Sequence, residues 1–411
     1  MNPLREGPFL RLWSGQTIAE LGYHLSLVAL PLVAVLQLGA TPAQMGLIVG
    51  VGMAPFAFAW PFFGVLVDRV DRRRLLQITY VGRAVLLGSL PVAALLGSLG
   101  VAQLVAVQFL VSLLHVAFSV VHPSLLPSVV PAEHLVAANS RVEMTRSGAM
   151  IIGPSAAGFL VELLSPANTV AIDAVCYVVA AALLAGLALP SKPEVARPAG
   201  TVWHDIREGF SSVFGDPVLR PMAISSGIMN AFFYIRTPLV PLFVLTELGG
   251  SAGQLGLVLA AAGPGALVGS ALARRVNERY GLSRAVTGAA FLAGVPVLAV
   301  PLVPDSGAWS IGVLVVSAFA VGVGVQVYSI SLVSARQLMT PDHLLGRVNA
   351  TFRWTAWAAT PFSALLSGLL AQVVGLRGAI AVAAAGLLLP GLFLLFSAVR
   401  RTAITAEGGR A

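Results

Sequence analysis

The chain changes abruptly from apolar to charged at Gly64-Val65-Leu66-Val67-Asp68-Arg69-Val70-Asp71-Arg72-Arg73-Arg74. This stretch joins two apolar runs, 44–67 and 75–98. Each run is longer than the ~20 residues that a helix needs to cross roughly 30 Å of hydrocarbon. We therefore interpret the stretch as a short polar loop between two membrane spans.

The same alternation of apolar runs and polar breaks continues through all 411 residues. The chain is 57% hydrophobic and only 10% charged, whereas a soluble domain has about 25% charged residues. The pattern predicts an all-α membrane protein with twelve transmembrane helices. We number them span 1 to span 12, at 14–38, 44–67, 75–98, 101–121, 139–164, 168–189, 220–245, 254–273, 285–302, 308–333, 350–374 and 377–399.

The basic residues fall almost entirely in alternate loops. Arg377 is on the other side, and Arg83 and Arg236 lie within spans. The remaining basic residues lie in the loops of one side or in the first turns of the spans that adjoin them. Because Lys and Arg accumulate in cytoplasmic loops, both termini are expected in the cytoplasm. Topology thus accounts for the net charge of +8, and no nucleic-acid partner is expected.

Two short motifs occur twice, about 210 residues apart. Gln44-Met45-Gly46-Leu47 returns as Gln254-Leu255-Gly256-Leu257, and the stretch 131–139 returns as 341–349. The repeat predicts two pseudo-symmetric six-helix halves, 1–189 and 220–411, joined by a cytoplasmic central loop, 190–219. Halves of this kind rock around a central site in secondary transporters.

The charged loop resembles the G-x-L-x-D-R-x-x-R-R signature of the major facilitator superfamily. The stretches 9–16, 126–139 and 346–350 are similar to its bacterial drug–proton antiporter branch, which includes macrolide-efflux and enterobactin-exporter-like proteins. The resemblance covers essentially the full length. It implies the major facilitator fold in a bacterial inner membrane, and export of a small molecule in exchange for protons.

Span 5 contains a segment similar to the antiporter motif of such exporters. Gly153, Pro154 and Gly158 match the motif, while alanine replaces glycine at two other positions. Small residues let helices approach closely and proline lets a helix bend. The segment indicates either an exporter's interface or ordinary close packing.

Ionisable groups inside spans are costly in lipid and are therefore candidates for function. Glu20 lies about two turns into span 1, and its side chain is the first candidate to bind and release protons. His24, one turn later, and His115 in span 4 are candidates to relay them. The alternatives are a water-facing carboxylate paired with an arginine, and neutral, hydrogen-bonded histidines.

Arg236 lies near the middle of span 7, before Thr237 and Pro238. Its guanidinium could neutralise an anionic substrate or Glu20, or it could form a structural pair with another acid. The other polar candidates for the substrate cavity are Asn230, Tyr234, Gln326 and Tyr328. A small, largely apolar compound that can be anionic is expected.

The loop signatures suggest a gate on the cytoplasmic side. Its candidate residues are Gly64, Asp68, Arg69, Arg72, Arg73, Glu143, Arg274, Arg275 and Arg353. When one half is laid over the other, Asp68 matches Arg274 and Glu143 matches Arg353. We expect Asp68 to approach Arg353, and Arg274 or Arg275 to approach Glu143, when this side is closed. The alternative is that these arginines only set the topology.

The sequence offers no phosphate-binding loop, nucleophile elbow or carboxylate pair at catalytic spacing. We therefore expect no enzymatic activity, no cofactor and no metal, and a protein that works as a monomer with its substrate, protons and lipid. Two alternatives stay open. One is a proton-coupled or facilitative uptake carrier, and the other is a receptor or scaffold of the same fold that does not transport.

Overall fold

The computed structural model describes residues 7–59, 71–185 and 202–401. These residues form helices and no strand, which confirms the prediction of an all-α fold. Span 1 comprises Gly7–Leu32 and continues through Val33–Gln37. The helices of spans 2 to 6 are Pro42–Phe58, Arg72–Leu95, Val101–Val129, Leu135–Leu164 and Pro166–Ala185.

A further helix, Val202–Gly215, precedes the second set of spans. Span 7 begins with Leu219–Arg236 and continues through Leu239–Leu242 and Phe243–Glu247. The remaining helices are Ala252–Ala260 and Ala262–Tyr280 (span 8), Leu282–Gly294 and Val295–Leu302 (span 9), Ala308–Met339 (span 10), Leu345–Trp357 and Thr360–Gly386 (spans 11 and 12), Leu389–Leu395 and Ala398–Arg401.

Within residues 7–59, 71–185 and 202–401, ten helices are long and apolar enough to cross a membrane. Pro42–Phe58 is a shorter apolar helix, and Leu345–Leu395 is long enough to contain both spans 11 and 12. These two spans meet at Gly375, whose φ of 75° favours glycine. The ten helices, the shorter helix and this internal bend together accommodate the twelve predicted spans.

The repeated motifs have the same local structure at both positions. Thr41 and Gln44 form a reciprocal capping box at the start of span 2, and Ser251 and Gln254 exchange the same two hydrogen bonds at the start of span 8. Such a box satisfies backbone N–H groups that the first turn of a helix leaves unpaired. The second repeat forms matching 3₁₀ turns, Ala132–His134 and Asp342–Leu344. The repeat is therefore structural as well as sequential.

The chain forms two compact units. The first comprises Met1–Arg197 together with Ser251–Ala260, and the second comprises Pro198–Gly250 and Ala261–Ala411. In the first unit, span 1 packs against spans 5 and 6, and span 6 packs against span 3. In the second unit, span 8 packs against span 10.

Span 8 is interrupted after nine residues, at Ala261. Pro264 lies just beyond the break, and since proline has no backbone N–H it cannot bond the carbonyl of Ala260. Beyond the break, Gly269 packs so closely on span 10 that a Cβ there would lie 2.7 Å from the Val323 carbonyl oxygen. We call Ala252–Ala260 the first segment of span 8.

Arg377 ties together three parts of the second unit. Its Nε lies 2.8 Å from Oε1 of Glu247, at the end of span 7. Its Nη1 donates to the carbonyl oxygens of Pro301, in the last turn of span 9, and of Val303, just after that turn. Carbonyls at a helix end have no partner within the helix, so this guanidinium satisfies groups that the fold leaves unpaired. The exception in the charge pattern therefore has a structural role.

Replacing Arg377 with alanine should lower the thermal stability of the purified protein, because hydrogen bonds to charged groups contribute about 1.5–3 kcal/mol each. The measurement is the unfolding temperature in detergent. Arg274→Ala is the matched control, since Arg274 forms an ion pair of similar length with Glu278 on an exposed helix face. Equal loss in both variants would contradict the structural role of Arg377.

Candidate functional site

Glu20 lies in the middle of span 1 and is only 8% exposed. Its helix is enclosed by spans 5 and 6, so the carboxylate lies inside the first unit. Its Oε2 is 3.9 Å from Nε2 of His24, one turn later. The positive charges that act on it belong to Arg146 on span 5 and Arg83 on span 3. A carboxylate in this setting can exchange a proton with a neighbouring imidazole.

His115 joins the same group through an aromatic contact. The ring of Tyr23 stacks on the imidazole of His115, with 4.4 Å between the ring centres, and packs edge-on against His24. Phe56 closes another side of His115 at 5.7 Å. The structure thus brings together the three residues that the sequence suggested for proton coupling. We call Glu20, Tyr23, His24 and His115 the span 1 cluster.

The sequence interpretation assigned no role to two charged residues beside this cluster. Arg83 is 2% exposed, and its guanidinium carbon lies 5.8 Å from the centre of the Tyr23 ring. Asp173 on span 6 is 1% exposed and packs directly against Gly22 of span 1. Glu20 became a candidate because it is an ionisable residue within a span. Asp173 is also an acid within an apolar run, so the same reasoning would have identified it.

The antiporter-like segment of span 5 has two contact faces. A Cβ on Gly153 would overlap the side chain of His24. On the other face, a Cβ on Gly158 would lie 2.6 Å from the carbonyl oxygen of Ala252, in the first segment of span 8. Pro154 also faces this segment, through its carbonyl oxygen next to Gly256. Residues four apart lie on one helix face, so 154 and 158 form one contact stripe.

Glu162 extends this stripe by one more turn. Its Oε1 accepts a hydrogen bond of 2.7 Å from the backbone N–H of Gly253, at the start of the first segment of span 8. A carboxylate at a helix start also meets the positive end of the helix dipole. The motif residues therefore connect the span 1 cluster with span 8 inside the first unit.

The substrate candidates all lie in the second unit. The guanidinium of Arg236 lies 5.4 Å from the centre of the Phe233 ring. Its Nε has no hydrogen-bond partner in the described part of the chain, and none of the ion pairs found there includes it. An arginine placed in this way has donors left for an anion.

The other substrate candidates are engaged to different degrees. Tyr328 is buried, and its hydroxyl lies 2.9 Å from that of Ser225 on span 7. The amide of Asn230 donates to the Ser226 carbonyl of its own helix. Tyr234 packs against the ring of Trp357 at 5.9 Å, and Gln326 packs against Gly269.

Part of the suggested inner gate lies outside the described residues, namely Gly64, Asp68, Arg69 and the side chain of Arg72. Arg73 donates to the carbonyl oxygen of Ala185. Two gate residues have partners on their own helices. On span 5, Oε2 of Glu143 lies 3.7 Å from Nη1 of Arg146. On span 8, Nε of Arg274 lies 2.7 Å from Oε1 of Glu278. Arg275 on span 8 and Arg353 on span 11 are both exposed. The gate pairs remain predictions.

Residues 1–408 match the family of transmembrane secretion effectors. The chain belongs to this family. Its fold is similar to that of the nucleoside transporter NupG, with a TM-score of 0.76 at 13% identity, over 95% of this chain and 98% of that structure. The predicted membership of the major facilitator superfamily is thereby confirmed.

Two relatives of this chain are named as drug pumps. The multidrug efflux pump Tap of Mycolicibacterium fortuitum is 27% identical over 96% of this chain and 97% of the relative. Macrolide efflux protein A of Streptococcus pyogenes is 22% identical over 90% of each chain. The protein is thus a multi-pass membrane protein of a transporter family, whose members move small molecules.

Proposed function

We propose that this protein exports a small, largely apolar compound from a bacterial cell by exchanging it for protons. The observation that carries the proposal is the buried carboxylate of Glu20, which contacts His24 and lies beside Tyr23 and His115 in the span 1 cluster. The relatives named as efflux pumps support export. We further propose that the protein lies in the inner membrane as a monomer, with both termini in the cytoplasm.

Glu20 couples the movement of protons to the movement of the substrate through its charge. An ionised carboxylate removed from water is costly unless it is paired, and a bound proton removes that cost. A proton taken up from the outside therefore favours the conformation in which Glu20 is most enclosed. Its release to the cytoplasm favours the conformation in which water or a cation reaches the carboxylate. Because the two conformations differ in their affinity for the proton, a proton gradient shifts their populations.

Arg236 accounts for the proposed preference of the protein for anionic substrates. Its side chain contacts the Phe233 ring, and its Nε has no partner among the residues that the structure describes, so it suits a compound with an apolar body and an anionic group. A guanidinium can hold a carboxylate by two parallel hydrogen bonds. Neutral apolar compounds would be held by the aromatic surface of Phe233 and Tyr234 alone.

Transport by the purified protein in inside-out vesicles tests this function. A panel of macrolides and other antibiotics would be added outside the vesicles, where the cytoplasmic face of the protein lies. Accumulation would be measured with and without a proton gradient directed out of the vesicles. Gradient-dependent accumulation supports proton-driven export. Gradient-dependent release from vesicles preloaded with the compound would indicate an uptake carrier, and binding without movement would indicate a receptor or scaffold.

Arg236→Ala should weaken the binding of anionic substrates by about tenfold or more, because a hydrogen-bonded charge contributes about 1.5–3 kcal/mol. Arg236→Lys should recover only part of this loss, since a point charge cannot form the two-bond fork. Neutral substrates should bind normally. The measurement is equilibrium binding of matched anionic and neutral compounds.

Arg336→Ala is the matched control, because Arg336 also lies over an aromatic ring, that of Phe352 at 4.8 Å, with an unpaired Nε among the described residues. It should leave the preference for anions unchanged. Equal loss of anionic and neutral compounds in Arg236→Ala would show that Arg236 is a structural residue.

A further inference from the structure

Asp173 is a buried acid whose carboxylate oxygens have no partner of good hydrogen-bond geometry among the described residues. It is 1% exposed, and neither of its carboxylate oxygens accepts a hydrogen bond from the described residues. The hydroxyl of Ser26 on span 1 lies beside it but does not meet hydrogen-bond geometry. An ionised carboxylate with neither water nor donors costs several kcal/mol. Asp173 therefore needs either a proton or a nearby positive charge.

Arg83 is the positive charge that reaches Asp173. Its Nη1 donates to the hydroxyl of Tyr177 at 2.8 Å, while Nε and Nη2 have no acceptor within the described ranges. A guanidinium has five N–H donors. One side of Arg83 is thus fixed by Tyr177, and the other side has donors available.

The same guanidinium also acts on Glu20. The two carboxyl groups belong to different helices, but Asp173 packs against Gly22, which lies two residues after Glu20 on span 1. Among the described residues, the other ionisable groups around Asp173 are Tyr23 of span 1 and Cys176 and Tyr177 of its own helix. Two buried acids therefore lie within the electrostatic influence of one buried guanidinium.

We propose that Asp173 is a second proton-binding residue, which shares Arg83 with Glu20. When Glu20 is ionised, Arg83 balances its charge and Asp173 holds a proton. When Glu20 receives a proton from the outside, Asp173 releases its own proton to the cytoplasm and Arg83 balances the ionised Asp173. The proton on Glu20 then passes to Asp173, which restores the first state. Each state then contains one positive and one negative charge, so the buried region stays neutral throughout. This inference rests on the proposed proton antiport and adds a residue to it.

The test uses the full chain in vesicles, with Asp173→Asn and Asp173→Glu compared with the unchanged protein. Asp173→Asn should abolish transport driven by a pH gradient but retain exchange of substrate without a gradient. Asp173→Glu should recover part of the driven transport, with a shifted pH profile. Normal driven transport in Asp173→Asn would overturn the proposal.

A structural role for Asp173 makes a different prediction. If Asp173 and Arg83 only form a fixed ion pair, the neutral double variant Arg83→Gln with Asp173→Asn should restore driven transport with a normal pH profile. We expect no such recovery, because the double variant still lacks the proton site. Recovery would overturn the proposal.

Infrared spectroscopy detects the protonated carboxyl group directly. Its first result comes from the unchanged protein and does not require that a variant folds. The unchanged protein should show the carbonyl band of a buried protonated carboxylic acid, which disappears in Asp173→Asn and shifts in Asp173→Glu. Absence of this band at every pH would overturn the proposal. If the band is present but the unchanged protein ignores a pH gradient, the proposed antiport fails while Asp173 is still a proton site.

Discussion

Glu20→Gln should abolish export driven by a pH gradient while leaving substrate binding and gradient-free exchange largely intact. Glutamine keeps the shape of the side chain and its contact with His24 but cannot bind a proton. The protein can then change conformation only as the substrate itself permits. Separation of the two activities is the expected signature, and it is measured in vesicles with and without the gradient.

A matched control for this variant is Glu278→Gln, because Glu278 is an exposed acid on span 8 that pairs with Arg274. It should leave both activities unchanged. If Glu20→Gln transports normally under a gradient, Glu20 is not the coupling residue. The role would then pass to His24 or Glu143, whose neutral variants are the next to measure.

Gly158→Ala should reduce transport strongly, because the added methyl group would press on the backbone of the first segment of span 8. Its Cβ would lie 2.6 Å from the Ala252 carbonyl oxygen and 3.0 Å from the Gly256 Cα. Overpacking of this kind costs about 1–3 kcal/mol. If the contact exists in only one of the two transport conformations, this cost shifts the equilibrium between the conformations by about 5- to 150-fold.

Gly148→Ala is the control, since Gly148 lies on the same helix and a Cβ there would meet nothing within 4 Å. The two substitutions have the same effect on helix propensity, so a difference between them reports the contact alone. Initial rates of export and the unfolding temperature are the measurements. Equal rates for both variants would mean that the contact stays intact throughout the transport cycle.

The helical spans could be predicted from the sequence because each one must fill the hydrocarbon thickness with apolar residues. The bend at Gly375 also follows from local chemistry, since it separates two predicted spans at a glycine. The break in span 8 is different. The sequence predicted one continuous span, 254–273, and the interruption at Ala261 was not predicted.

The candidate site could be predicted only where one helix determines it. Glu20 and His24 are four residues apart, so helical geometry alone places them on one face. Tyr23 stacks on His115 because spans 1 and 4 meet there, and no local pattern encodes that meeting. Asp173 and Arg83 likewise come together through tertiary packing. The contact between Gly158 and the first segment of span 8 also crosses about 95 residues of chain.

The position of Ala252–Ala260 affects how the protein is made. A chain that leaves the ribosome from its N-terminus normally completes its first folding unit before the next one begins. Here the first unit waits for nine residues that are synthesised after span 7. Until they arrive, Pro154 and Gly158 of span 5 and the carboxylate of Glu162 lack the contacts that they make with this segment. A fragment ending at residue 197 would therefore be an incomplete folding unit, and a truncated transcript would yield a substrate for membrane proteases.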